Sequence, residues 1–270
     1  MKDVPNVLKI IDIIHETPTI KTFVLYWDMN KHGIPKPGQF MMVWNFEDEK
    51  PMSISFIDKF HNRIGITIKQ VGPFTENIHK LSIGDKLGIR GPYGNGFNTD
   101  LEGKKVLAIG AGVGMAPINA FSLEILSKGI KLDIISSAVN HDELLFIDTL
   151  KNKGANVYSS TDDGSCGFKG FSIHKAHELL KDNHYDEAIV CGPEIMMKGI
   201  FDLFEDKSIH GQYSMERYMK CAIGICGQCC VDDKGWRICK EGPVFDGDDL
   251  KKIAEFGKYH RNSAGIKNYY

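Results

Sequence analysis

Long hydrophobic runs are missing from this chain of 270 residues; none approaches the roughly 20 apolar residues that a membrane-spanning helix needs. Charge of one sign is missing too. A formal net charge of −2 gives no electrostatic case for binding nucleic acid or an anionic membrane surface. The start, Met1-Lys2-Asp3-Val4-Pro5, has no apolar stretch of the secretory type, so a cytoplasmic protein is expected. There is no low-complexity segment, no heptad run and no internal repeat, which sets aside linker-like, coiled-coil and solenoid architectures. Cysteine is scarce except in one place: of seven, five lie between residues 221 and 239. A disulfide framework would spread its cysteines through a short chain, so this clustering argues for metal ligation instead.

What is present is an ordinary globular composition, 42% hydrophobic and 25% charged, over a length that suggests about two domains. Residues 7–98 read as strands. Val7–Ile14, Thr19–Trp27, Gln39–Trp44, Ser53–Ile57 and Arg63–Lys69 are short runs rich in Ile, Val, Phe and Thr, separated by turn residues. A helical segment, Thr75–Leu81, comes before Asp85–Arg90. Strands this short and regularly spaced predict an antiparallel barrel or sandwich. After Gly91-Pro92-Tyr93-Gly94 the pattern changes. Strands Lys105–Ile109, Lys131–Ala138, Ala155–Ser160 and Glu187–Cys191 alternate with helices Pro117–Ser127, Asp142–Lys151, Ser172–Leu180 and Glu194–Phe204. That alternation predicts a doubly wound parallel sheet. The expected fold class is therefore multi-domain β plus α/β: a β-barrel over 1–98, an α/β domain over 99–210 and a small metal-ligated segment over 211–270.

The cysteine stretch is Cys221-Ala-Ile-Gly-Ile-Cys226-Gly-Gln-Cys229-Cys230, with Cys239 following Trp236. The first three cysteines of Cys-x4-Cys-x2-Cys-x9-Cys have the spacing of plant-type [2Fe–2S] proteins. Gly224 and Gly227 suit a chain that must wrap tightly round a cluster and aim N–H groups at sulfur. A structural zinc site with four cysteines is the alternative, although it usually pairs two Cys-x2-Cys knuckles and only one is present. Cys230 is read as a non-ligand neighbour of Cys229.

In the α/β half, Gly110-Ala111-Gly112-Val113-Gly114 follows a strand and opens a helix, a place where a pyrophosphate can approach the backbone. Its spacing departs from Gly-x-Gly-x-x-Gly, and no acidic residue is well placed for a ribose, so a tight turn without a ligand is the bland alternative. Cys191-Gly192-Pro193 forms a second glycine turn at a strand end; Cys191 either caps that strand as a buried thiol or lines a nicotinamide pocket. Cys166 has no base beside it and is not read as a nucleophile. His174 and His177 do not form a metal pair. In the barrel, Lys50-Pro51-Met52-Ser53 could hold an anionic ligand or be an ordinary loop-to-strand passage.

Taken together, these motifs resemble one set in one order. Lys50-Pro51-Met52-Ser53 and Val71-Gly72-Pro73-Phe74-Thr75 resemble the flavin signatures of the ferredoxin–NADP⁺ reductase superfamily, and the two glycine turns resemble its nicotinamide-nucleotide motifs. With the terminal cysteines and Gly235-Trp236-Arg237-Ile238-Cys239, nearly the whole chain resembles the electron-transfer subunits of B-type, NAD-dependent dihydroorotate dehydrogenases. The resemblance implies FAD contacts at Lys50, Pro51, Met52, Ser53, Thr67, Ile68, Lys69, Phe74 and Thr75. It implies NAD contacts at Gly110, Gly112, Gly114, Cys191, Gly192 and Pro193, and [2Fe–2S] ligands Cys221, Cys226, Cys229 and Cys239. It departs from the family in Lys50, where arginine is usual, and in Phe74, where glycine is common. No catalytic side chain is nominated, because hydride transfer between nicotinamide and flavin needs placement rather than an acid or base. The implied partner is an FMN-containing catalytic subunit, two of each forming a heterotetramer, in pyrimidine biosynthesis. No cluster of Arg or Lys is set aside for a 2′-phosphate, which favours NADH. The rival readings are a flavin and iron–sulfur subunit of an NADP-dependent ferredoxin reductase or sulfide dehydrogenase, and a non-catalytic zinc-binding protein.

Overall fold

The computed structural model describes residues 3–270; Met1 and Lys2, part of the expectation that no leader is present, lie outside them. The first third is a closed antiparallel barrel. Its elements are β1 (Asn6–Thr17), β2 (Ile20–Tyr26), α1 (Met29–His32), β3 (Phe40–Trp44), β4 (Glu49–Asp58), β5 (Arg63–Lys69), α2 (Pro73–His79) and β6 (Lys86–Tyr93). The strands close in the order β1-β2-β5-β4-β3-β6. On β5 the alternation puts Ile64, Ile66 and Ile68 inward, against Phe23, Leu25, Met41, Val43 and Ile89. Each such side chain, fully buried, contributes about 1.5–3 kcal/mol. Closure leaves no unpaired edge on which another chain could add.

The second part is a seven-stranded sheet. It comprises β7 (Val106–Ala111), α3 (Met115–Ser127), β8 (Leu132–Ala138), α4 (Ile147–Asn152), β9 (Asn156–Thr161), β10 (Phe168–Lys169), α5 (Ser172–Asp182), β11 (Glu187–Cys191), α6 (Glu194–Asp206), β12 (His210–Ser214), β13 (Val244–Asp246) and α7 (Gly247–Leu250). The order is β10-β9-β8-β7-β11-β12-β13, parallel except for the antiparallel β12–β13 pair. A short hairpin, β14 (Tyr259–Arg261) with β15 (Lys267–Tyr269), ends the chain. Helix α3 is buried nearly all round because it lies between the sheet and the barrel; Asn119 Nδ2 donates to the Ser55 carbonyl of β4 at 2.9 Å.

Several local details differ from the sequence expectation. The helix expected over 142–151 starts only at Ile147, because Phe146 takes a left-handed backbone (φ 59°) and breaks the run. Strand β4 begins at Glu49, so Lys50–Ser53 lie within a strand rather than at its mouth. β12, at the expected 210 boundary, adds to the parallel sheet, and β13 returns from beyond the cysteines to pair with it.

Candidate functional site

The carboxyl ends of β7, β11 and β12 lie side by side and face the barrel, where open α/β sheets bind ligands. Cys191 pairs with Gly110 on one side and Ser214 on the other. The turn Gly112–Gly114 leads straight into α3, and Gly192-Pro193 into α6. A Cβ on Gly114 would stand 2.5 Å from the Cys191 carbonyl oxygen, so only glycine lets the two turns close on one another. Cys191 is buried, and burial pushes its thiol up, with the nearby Glu216 carboxylate adding to the effect.

Between sheet and barrel runs a cleft of about 280 Å³. The barrel supplies Pro51, Met52, Ser53, Thr67, Ile68, Lys69 and Thr75; the first glycine turn and α3 supply Val113 and Ala116. Ser214, Met215, Glu216, Arg217 and Met219 form the far wall. Apolar walls with hydroxyls at intervals suit a flat aromatic group carrying a polar tail, so the lining fits a flavin. Lys50 and Phe74 are not part of this lining. Lys50 pairs with Asp48 at 2.7 Å, and Phe74 packs on the barrel core. Lys69 reaches across to Glu143 of the α/β half at 2.5 Å. The Thr75 hydroxyl accepts from the N–H groups of Val71 (2.9 Å) and Gly72 (3.1 Å), which shapes the loop before α2.

Reading the sequence missed the segment 214–219. Glu216 is open to solvent through the cleft but walled by protein elsewhere, and this burial pushes its carboxyl above the usual carboxylate range. Arg217 is buried between Glu194, the first residue of α6, and Glu255 (2.7 Å). Glu194 also accepts from Gly257 N at 2.9 Å and Tyr270 Oη at 3.2 Å, and Glu255 from Asp232 N at 2.9 Å. The available signal was that Gln212-Tyr213-Ser214 is a third strand run ending on the same edge.

The cysteine lobe spans the gap between β12 and β13. Gly224 (φ 79°) and Gly227 (φ 71°) turn the chain where most side chains would strain it. The N–H groups of Ile225 and Cys226 point at Cys221 Sγ, both at 3.4 Å, and that of Cys239 at Cys229 Sγ, at 3.5 Å. Burial raises the Cys221 thiol, but N–H donors from Cys226, Ile223 and Ile225 outweigh it and bring the pKa down to about 6. The Cys239 thiol donates to Cys229 and brings that thiol down to about 7, while Cys239 itself is pushed up by the same bond and by burial. These N–H bonds join the thiol-bearing residues two by two, Cys226 to Cys221 and Cys239 to Cys229. Among the described residues no three such side chains converge as they would round a single ion. Two adjacent pairs of cysteines fit two irons bridged by sulfides. Cys230, half-buried, is raised by burial and by Cys229 and bonds from its N–H to Gly227 O at 3.0 Å. Arg237 braces the loop from inside, donating to Gly224 O at 2.8 Å, and Trp236 stacks on Phe245 of β13 with ring centroids 5.8 Å apart.

Comparison with known proteins agrees with this geometry. Residues 216–251 match the family described as the iron–sulfur cluster binding domain of dihydroorotate dehydrogenase B. A protein of Methanothermobacter thermautotrophicus is 51% identical over 263 residues, 97% of each chain, and one of Methanocaldococcus jannaschii is 48% identical over 267 residues, 98% of this chain and 99% of the other. Both are named as the electron transfer subunit of dihydroorotate dehydrogenase B (NAD(+)). Among solved structures, an NADH-dependent reduced ferredoxin-NADP oxidoreductase superposes with a TM-score of 0.82 at 23% identity over 93% of both chains. The FAD/NAD-binding domain of a Vibrio cholerae nitric oxide dioxygenase superposes with a TM-score of 0.65 at 17% identity over 76% of this chain and 94% of the other. These two establish the fold, and the two sequence relatives establish more: the chain belongs to the family of electron transfer subunits of NAD(+)-dependent dihydroorotate dehydrogenase B.

Proposed function

We propose that this chain carries electrons from an FMN-containing dihydroorotate dehydrogenase subunit to NAD⁺, through a [2Fe–2S] cluster and FAD, in the making of pyrimidines. The observation that carries the reading is the arrangement on one sheet edge: nucleotide-type glycine turns, an apolar cleft and a cysteine lobe folded round its own N–H groups follow one another. The division of labour follows the three segments 1–98, 99–210 and 211–270, with β12 and β13 tying the last to the sheet. Pro51, Met52, Ser53, Thr67, Ile68, Lys69 and Thr75 hold FAD along the cleft. Lys50 would supply a cation for the FAD phosphates, and Phe74 backs the loop from the barrel core. Gly110, Gly112, Gly114, Gly192 and Pro193 would give NAD(H) a backbone that can be approached closely, with Cys191 at the strand end between the two turns as a contact for it. Cys221, Cys226, Cys229 and Cys239 ligate the cluster. When bound, a flavin here would supply the exchange between the single electrons a cluster delivers and the electron pair that NAD⁺ takes as hydride. The chain's own task is to hold the rings in contact and keep water out of the cleft. The work is cytoplasmic, in an assembly of two such chains with two partners.

The test is co-expression with the neighbouring dehydrogenase subunit. The expected complex contains about two irons and one FAD per chain and reduces NAD⁺ in the presence of dihydroorotate, with NADP⁺ a poor substitute. A colourless chain holding zinc overturns the reading.

A further inference from the structure

Arg90 has a role that neither the flavin motifs nor the cysteine spacing assigns. It lies near the end of β6, and its side chain is only 9% exposed. Nε and Nη2 donate to the two carboxylate oxygens of Glu49 at 2.7 and 2.6 Å. Nη1 donates to the backbone carbonyl of Cys221 at 2.9 Å and meets the Tyr93 hydroxyl at 3.2 Å. Glu49 opens β4, the strand whose next residues line the cleft, and Cys221 is the first cysteine of the lobe. One buried fork therefore joins the wall of the flavin-type cleft to the backbone of a cluster-type thiol. Arg237 differs from it: it grips Gly224 O from within the lobe and is more than a third exposed.

We propose that Arg90 is a positioning residue that fixes Cys221 against the barrel and raises the electron affinity of the cluster held there, with Glu49 as its opposing charge. The physical basis is simple. A cluster gains one negative charge on reduction, and a cation shielded from water on its ligand's carbonyl favours that state more than a solvated one would. The carboxylate on the far side of the guanidinium works against it. Arg90 and Glu49 thus hold the same joint together but pull the potential in opposite directions.

This inference rests on the assignment of Cys221 as a ligand. The test uses the chain purified anaerobically with its catalytic partner, and follows the reduced-cluster EPR signal during a redox titration. Arg90→Gln is expected to move the cluster midpoint to lower potential, Glu49→Gln to higher potential, and Arg90→Lys to fall between wild type and Arg90→Gln, since lysine keeps the charge but loses the fork. The flavin midpoints in the same titration are expected to move by less than half as much. Loosening alone would shift both neutral variants in the same direction, and that result, or no shift in either, overturns the proposal. If Arg90→Gln assembles no cluster, Glu49→Gln decides, because it keeps the bond to Cys221; a midpoint at or below wild type then overturns it. A wild-type complex without a [2Fe–2S] EPR signal would instead sink the ligand assignment itself.

Discussion

The cysteine lobe and the cleft are built on opposite plans. The four thiols proposed as ligands come from 19 consecutive residues, and backbone N–H groups of that same stretch point at two of them, Cys221 and Cys229. The cleft draws its walls from the barrel strands, the first glycine turn and the segment after β12, residues far apart in the chain. A locally built site needs only its own turns to be right. A cleft of this kind needs the domains around it to stay in register, and α3 wedged between them and the buried Arg217 network serve that end.

The contrast can be broken most severely at the lobe. Cys239→Ser removes one thiolate of a four-thiolate set, and iron content and the EPR signal are expected to be lost, whereas Cys230→Ser is expected to keep both. Equal loss in the two variants would erase the distinction between ligand and neighbour. Next in size is Arg217→Leu, which leaves Glu194 and Glu255 buried without their cation. Breaking a buried pair of this kind typically destabilises by about 3–5 kcal/mol, to be read from denaturant unfolding. Because the network joins α6 to the lobe, the cluster and NADH binding should weaken together; a change in only one would show that the regions are less coupled than the contacts suggest.

Gly114→Ala acts on the cleft side alone. A methyl 2.5 Å from the Cys191 carbonyl must push the turns apart, at a cost of about 1–3 kcal/mol. KM for NADH should rise several-fold while the cluster EPR signal stays as in wild type. Thr75→Val removes the acceptor for two loop N–H groups, an effect of about 1 kcal/mol by analogy with helix caps. Isothermal titration should show correspondingly weaker FAD binding. The smallest effect is expected at Glu216. Its carboxyl is raised by burial, so the folded state favours the protonated form; the stability this gives is complete below the ordinary carboxylate range and is lost as pH climbs through the raised value. Glu216→Gln should therefore raise Tm above that window and leave it unchanged below, and an identical change at both ends would argue against the shift.

Much of this was legible in the sequence because it is local. Strand alternation, glycine turns and cysteine spacing are written within a few residues of where they act, and the barrel, the parallel sheet and a cysteine-rich lobe at residues 221–239 follow from them. Arg90 and Arg217 were not legible. Arg90 reads as the polar end of a strand, yet its partners lie 41 and 131 residues away. Arg217 lies in a stretch to which the sequence assigns no role, and only the fold brings Glu194 and Glu255 to it. Ser214–Met219 escaped for a similar reason: nothing in those residues says that the strand before them joins a sheet already begun a hundred residues earlier.

The pairing of β12 with β13 has a consequence for how electrons pass through the lobe. Gln212 faces Asp246, Tyr213 faces Phe245, Ser214 faces Val244, and Met215 N donates to Pro243 O at 2.9 Å. The lobe thus has both feet planted in one sheet, with no single-strand tether about which it could swing. Carriers that shuttle need such a tether, and trade tunnelling distance for travel. Here the lobe's place against the sheet is set once, at folding, and a cluster held in it would exchange electrons at fixed range, as through a wire soldered at both ends.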